Sequence, residues 1–320
     1  MRTQRWIRGV RQFPASPGTV LTIGNFDGAH LGHQAVFART KEVAKRLGAS
    51  SVALTFKPHS QMALRPESAP KLLMTYEEKA EAILATGVDF VVEEPFSREL
   101  SQTPAETFFR EYLLGPLSPR AIVVGYDFAF GSDRQGSQEK LEELCATSGV
   151  EIEILQPFRL GGEVVSSTAI RRAIAAGEME RATAMLGRPF FYRGVVERGE
   201  GRGRAIGFPT ANLAMSQKVV VPLGVYACTA RVDGRAFEAV TNVGVRPTFA
   251  RSQAESPADW PALIEVHLLD TTQDLYGKTL EVDMRSFLRP ERKFSGVEEL
   301  KVHIAKDVTA ARARIHSDRR

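Results

Sequence analysis

The chain reads as two modules, an N-terminal α/β module followed by an all-β module that ends in a helix. Three observations predict this. Between about residues 18 and 155, short apolar runs alternate with amphipathic stretches, the pattern of a parallel sheet covered by helices on both faces. After about Leu186 the rhythm changes to strands broken by frequent turns. Asp233-Gly234, flanked by apolar alternation, is a strong hairpin signal. A length of 320 residues also exceeds one ordinary compact domain. The expected boundary lies just before Arg188-Pro189, giving modules 1–186 and 187–320.

In the first module Val20 to Ile23 reads as a buried strand, and His30 to Leu47 as an amphipathic helix closed by Gly48. Further strands are expected at Ser51 to Phe56, Asp89 to Val92, Ala121 to Val124 and Val150 to Leu155, with helices at Glu77 to Thr86, Ala105 to Leu114 and Gln138 to Ser148. In such sheets ligands bind beyond the carboxyl ends of the strands. A helix at Glu178 to Leu186 precedes the boundary. The second module shows strand patterns at Tyr192 to Arg198, Gly224 to Val232, Arg235 to Val243, Leu263 to Leu269 and Thr279 to Met284, and a last helix from Val297 to about Ile315. An antiparallel barrel with a C-terminal helix fits this order. Residues 251–262, rich in Ser, Pro and Ala, read as a surface loop.

The apolar fraction of 43% and the charged fraction of 25% are those of a globular protein. Lys+Arg exceed Asp+Glu by 42 − 38 = 4, with the excess gathered near the two ends and a single aromatic residue, Trp6, between those charges. Nucleic acid is therefore not expected as a partner, and anionic small molecules account for basic pockets equally well. Cys145 and Cys228 are the only cysteines, too few for a disulfide framework or a zinc site. The N-terminal arginines surround no apolar signal core and no run approaches a membrane span, so the expected location is cytoplasmic, without membrane association.

The most specific segment of the first module runs from Gly24 to His33, Gly-Asn-Phe-Asp-Gly-Ala-His-Leu-Gly-His. It joins a buried strand to a helix start, where unpaired N–H groups and the helix dipole favour an anion. His30 and His33, three apart, face one side of the first turn and can donate to phosphate oxygens; protonated, they would also stabilise charge during group transfer. Two surface histidines beside a tight turn is the ordinary reading, and the flanking glycines weigh against it.

The His-x-Gly-His element resembles that of the nucleotidylyltransferase superfamily. The longer pattern resembles the prokaryotic bifunctional riboflavin kinase/FAD synthetase family, with support from Thr55-Phe56-Lys57-Pro58-His59, Pro70-Lys71-Leu72-Leu73, Gly125-Tyr126-Asp127-Phe128-Ala129-Phe130-Gly131 and Ser166-Ser167-Thr168-Ala169-Ile170-Arg171. In the second module Gly207-Phe208-Pro209-Thr210-Ala211-Asn212 resembles the GxPTAN motif of riboflavin kinases. Pro222 to Tyr226, Asn242 to Phe249, Glu265 to Asp270 and Phe287 to Phe294 match later blocks of that family, in order. By contrast, Tyr276-Gly277-Lys278-Thr279 lacks the first glycine of a P-loop, and Gly201 to Gly207 is not a dinucleotide fingerprint.

The resemblance implies a Rossmann-like nucleotidyltransferase domain with a parallel sheet, joined to a six-stranded riboflavin kinase barrel. It implies that riboflavin is phosphorylated to FMN by the second module and that FMN is adenylylated to FAD by the first, with ATP as co-substrate and Mg²⁺ at both steps. For adenylyl transfer it points to Gly24, Phe26, Asp27, Gly28, His30, His33, Asp127, Ser166, Ser167, Thr168 and Arg171. For the kinase it points to Gly201, Gly203, Arg204, Gly207, Pro209, Thr210, Asn212, Asn242, Arg246 and Arg289, with Thr210 and Asn212 holding the metal and Glu265 as catalytic base. Each has a plainer reading: helix capping for Ser166 to Thr168, loop packing for Phe128 and Phe130, a turn for Pro209 to Asn212, and a solvent-facing strand position for Glu265.

Two segments depart from the family pattern. Lys57 stands where an acidic residue is usual, and Ser132-Asp133 replaces a more basic, glycine-rich continuation. Two alternatives stay open at this point: a kinase with a degraded adenylyltransferase, and a non-catalytic flavin- or nucleic-acid-binding regulator.

Overall fold

A computed structural model describes residues 5–132, 136–198, 203, 206–214, 218–245, 262–271 and 273–317. Gly201, Arg204, Arg246, Asp133 and nearly all of the expected 251–262 loop lie outside these residues. The chain divides into two compact units, Met1–Ser167 and Thr168–Arg320.

The first unit is built on a six-stranded parallel sheet of order β1-β4-β3-β2-β5-β6. Its strands are β1 (Trp6–Arg8), β2 (Thr19–Ile23), β3 (Ser50–Lys57), β4 (Phe90–Pro95), β5 (Pro119–Gly125) and β6 (Glu151–Leu155). Every residue of β2 is buried, as a central strand covered on both faces requires. Helix α1 (Leu31–Leu47) buries Val36, Phe37, Thr40, Val43 and Ala44, and Gly48 closes it in the left-handed conformation at φ 59°. The short helices α2 (Ser60–Leu64) and α3 (Tyr76–Ala85) follow; at the start of α3, Thr75 and Glu78 form a reciprocal capping box. The expected Ala105 to Leu114 helix is interrupted: after α4 (Arg98–Ser101) and α5 (Ala105–Phe108) the chain widens into a π-helical turn, Phe109–Leu114, before α6 (Gly115–Leu117). Helix α7 (Gln138–Ser148) and a small hairpin, β7 (Arg159–Leu160) with β8 (Glu163–Val164), complete the unit.

The second unit contains α8 (Ser167–Ala175, which opens at the division), α9 (Met179–Leu186) and a closed six-stranded barrel of order β10-β13-β12-β11-β14-β9. Its strands are β9 (Phe190–Glu197), β10 (Ala211–Leu213), β11 (Gly224–Val232), β12 (Arg235–Val245), β13 (Ala262–Leu268) and β14 (Thr279–Pro290), all paired antiparallel. The β11–β12 hairpin turns at Asp233 and Gly234, both at positive φ (50° and 75°), as a type I′ connection needs. Closure removes the exposed strand edges. Helix α10 (Val297–Ser317) covers one side, where Ala311 and Ile315 pack with Val225, Ala227, Val240 and Leu269.

The division falls upstream of the expected 186/187 boundary. The reason is packing: α9 lies against β9 and β14, and Ser286 donates to Glu180 at 2.5 Å.

Candidate active sites

In the first unit, Gly24, Phe26, Asp27, Gly28 and His30 form the turn between β2 and α1, at the carboxyl edge of the sheet, and His33 lies in the first turn of α1. Phe26, Gly28 and Ala29 all have positive φ (51°, 86° and 42°), a strained course for the two that are not glycine. His30 caps α1, its Nδ1 accepting from the His33 N–H at 3.4 Å. The two imidazoles stack with centroids 3.6 Å apart. Phe26 packs edge-on against His33 and Phe37, and a methyl group at Gly32 would stand 3.1 Å from the His30 ring.

His33 is half-buried, yet its Nδ1 is closed off from solvent without a hydrogen-bond partner among the described residues, a polar atom that calls for an explanation. Burial foremost, then His30 and Lys79, hold its pKa well below the ordinary histidine range. The ring is therefore neutral near pH 7. In that resting form the ring can act as a hydrogen-bonding group, and the charge it could supply when protonated is absent.

Asp27 is buried and accepts from the N–H groups of Leu73 (3.0 Å to each oxygen) and Met74 (3.2 Å). These bonds anchor the Lys71–Met74 segment to the turn. Ser167 Oγ donates to the Asp27 carbonyl at 2.9 Å, which brings Ser166 and Ser167 to this turn. Thr168, exposed, and Arg171 continue along α8 in the second unit. Asp127 is exposed in the loop after β5, the strand beside β2. Phe130 is buried in the core with Phe108 and Phe128 packed around it.

Lys57 answers its change of sign locally: Nζ lies 3.6 Å from Glu77 and 4.9 Å above the Tyr76 ring. Both partners are well exposed, so the pair contributes little energy. Sequence reading passed over Lys79. It sits on α3, buried, and donates to Thr55 Oγ1 (2.8 Å), the Asn25 carbonyl (3.1 Å) and the Phe56 carbonyl (3.2 Å). Burial first, with Asp27 opposing and Lys57 assisting, brings its pKa down from 10.5 to about 8. Between those values the unfolded chain holds a proton that the folded chain has released, so stability rises with pH across that window. Lys79→Met should flatten this rise when urea unfolding is compared at pH 8 and pH 10.

In the second unit the strand register assembles a row. Glu197 on β9 stands opposite Asn212 on β10, Asn212 opposite Glu265 on β13, and Glu265 opposite Asn242 on β12. Directly opposed residues share a face, so carboxylate, amide, carboxylate and amide lie side by side in that order. Thr210 immediately precedes β10. Phe208 N–H donates to the Gly203 carbonyl at 2.9 Å, and any side chain at Gly203 would collide with the Phe208 carbonyl and stand 3.3 Å from Thr210 Oγ1. Glycine there allows the loop to close on Thr210. Gly207 has φ 91° and open space around it. Pro209 is held from the strand: His267 Nδ1 lies 2.8 Å from its carbonyl, so Nδ1 carries the proton.

Asn212, opposite Glu265, and Thr210, two residues before it, carry oxygen donors, a hard donor set that fits Mg²⁺ completed by phosphate and water. Arg289 is paired with the terminal helix. Its guanidinium forks onto Asp307 of α10 at 2.8 and 2.7 Å and donates to the Pro290 carbonyl at 3.0 Å, tying β14 to the terminal helix. Breaking a largely buried pair leaves a charge uncompensated. Asp307→Ala should therefore lower unfolding stability by about 3 kcal/mol, measured by urea denaturation.

A family model described as FAD synthetase matches residues 13–169, and one described as riboflavin kinase matches residues 186–315. A bifunctional riboflavin kinase/FMN adenylyltransferase of Pseudomonas fluorescens is 40% identical over 308 residues, 96% of each chain. One of Listeria monocytogenes is 37% identical over 296 residues, covering 92% of this chain and 91% of its own. A crystal structure from Streptococcus pneumoniae described as a macrolide-efflux protein is 29% identical, with a TM-score of 0.86 over 97% of this chain and 99% of that one. Among the described residues of this chain, no helix is long and apolar enough to cross a membrane. With both models matched in order and relatives aligned end to end, the chain belongs to the bifunctional riboflavin kinase/FMN adenylyltransferase family.

Proposed function

We propose that the second unit transfers the γ-phosphoryl group of ATP to the ribityl 5′-hydroxyl of riboflavin, giving FMN and ADP. The first unit then transfers the adenylyl group of a second ATP to the FMN phosphate, giving FAD and pyrophosphate. The observation that carries this reading is the presence of both matched modules, in order, in one chain.

In the kinase, Glu265 takes the hydroxyl proton as the oxygen attacks phosphorus. Gly201, Gly203, Arg204 and Gly207 belong to the phosphate-binding loop; Asn242 and Arg246 belong to the flavin and nucleotide surface. Thr210 and Asn212 are the residues that would hold Mg²⁺, which when bound neutralises phosphate charge. Catalysis of this kind rests on positioning and charge stabilisation. In the adenylyltransferase, backbone N–H groups of the Gly24–Gly28 turn and the His30 and His33 rings donate to the phosphates, with Asp127, Ser166, Thr168 and Arg171 around the nucleotide. The functional division is proposed at 186/187, with α9 a packing element of the barrel. The two buried, unpaired thiols and the use of ATP favour the reducing cytoplasm as the compartment.

The test is a chromatographic time course with purified protein, riboflavin, ATP and Mg²⁺. FMN should appear first and FAD later. Unchanged riboflavin would contradict the kinase, and FMN accumulating without FAD would identify a degraded first unit.

A further inference from the structure

A buried ammonium is an expensive way to fill space. Lys79 is 3% exposed, its three hydrogen bonds all go to neutral oxygens, and among the described residues it forms no ion pair. An apolar side chain of similar volume would avoid the desolvation penalty. What the lysine touches explains its presence. Asn25 opens the β2–α1 turn, while Thr55 and Phe56 end β3, the neighbouring strand.

We infer that Lys79 is a positioning residue for adenylyl transfer: its ammonium ties the nucleotide-binding turn to the end of β3 and holds a positive charge behind that turn. The inference rests on the proposed role of the first unit. The turn needs an external clamp, since two of its non-glycine residues, Phe26 and Ala29, have positive φ and such conformations persist only where the surroundings impose them. Asn25 is held at both ends. Its carbonyl accepts from Lys79 and from Thr55 Oγ1 (3.2 Å), while its side chain exchanges hydrogen bonds with Ser60 (2.9 and 3.3 Å). The face of the Tyr76 ring, 5.2 Å away, also attracts the ammonium. Downstream of Asn25 the same turn carries His30 and His33, so slack at its entry is transmitted to both rings. When protonated, the ammonium adds to the positive end of α1, where phosphate charge is received.

Lys79→Met should lower kcat for FAD formation from FMN by about 10²-fold, the scale of an ångström-sized misplacement. Riboflavin phosphorylation by the same preparation should stay unchanged. Thr55→Val removes one link of the clamp without changing shape or charge and guards against a Lys79 variant that does not fold. It should lower the same kcat by about 5- to 10-fold, and the double variant should be no worse than Lys79→Met alone, because both act on one contact network. A Thr55→Val enzyme with wild-type kcat, or a folded Lys79→Met enzyme within about twofold of wild type, would overturn the inference. Wild-type protein that makes FMN but no FAD would instead overturn the functional reading beneath it.

Discussion

Replacing Glu265 with Gln is expected to lower FMN formation by about 10²–10³-fold, within the range for loss of a general base, while FAD formation from supplied FMN is unchanged. Glutamine keeps the shape and the cross-strand neighbours Asn212 and Asn242, so the barrel should be undisturbed. The side chain loses only the ability to accept the proton of the attacking hydroxyl. Ile264, Val266 and Leu268 are buried on β13, and Glu265 lies on the alternate face with His267. A role confined to strand packing would leave the rate nearly intact. The measurement is the initial rate at saturating riboflavin and ATP, and a loss below about tenfold would remove Glu265 from the mechanism.

The mirror experiment addresses the other unit. His33→Ala should lower FAD formation by about 10²–10³-fold, comparable to the loss of one preorganised donor to transition-state charge, and leave FMN formation untouched. His33 is the cleaner choice of the pair. His30 is buried at 5% exposure and caps α1, so its replacement mixes lost chemistry with a lost cap, itself about 1 kcal/mol. Because His33 rests in the neutral form, acidification toward its lowered pKa should change the adenylyl-transfer rate only well below pH 6.5. An activity profile for FMN to FAD that bends near the ordinary histidine value would contradict neutral hydrogen-bond donation.

Much of this arrangement is visible in the sequence because it is local. The β2–α1 turn, its cap and the closing Gly48 are written in consecutive residues, and α1 starts within one residue of its expected position. Asp233-Gly234 marks its hairpin for the same reason: left-handed backbone selects those residue types. Long-range partners are where sequence reading stops. Strand β1 is three residues long, too short for periodicity, and exists because Trp6 to Arg8 pair with Val91 to Glu93. Strand β10 overlaps Pro209 to Asn212, whose plain reading is a turn, and closure of the barrel between β9 and β13 makes it a strand.

The candidate sites divide in the same way. The row from Glu197 to Asn242 needs register across four strands, although Asn212, Glu265 and Asn242 were each expected singly. Asp27 and Arg289 carry motif identities, and their charges are met by the Leu73 and Met74 amides, 46 and 47 residues away in sequence, and by Asp307, 18 residues away. Lys79 shows the limit most clearly. On a short amphipathic helix a lysine reads as solvent-facing, and only the fold turns it under the β2–α1 turn.

The most direct test of the two-site account is to follow the phosphorus atoms. Riboflavin incubated with the purified chain and ATP labelled at the γ-phosphorus should yield labelled FMN and then FAD carrying that label. ATP labelled at the α-phosphorus should leave FMN unlabelled and label FAD. Label from the α-position in FMN, or FAD lacking the γ-derived phosphorus, would contradict sequential phosphoryl and adenylyl transfer by this one chain.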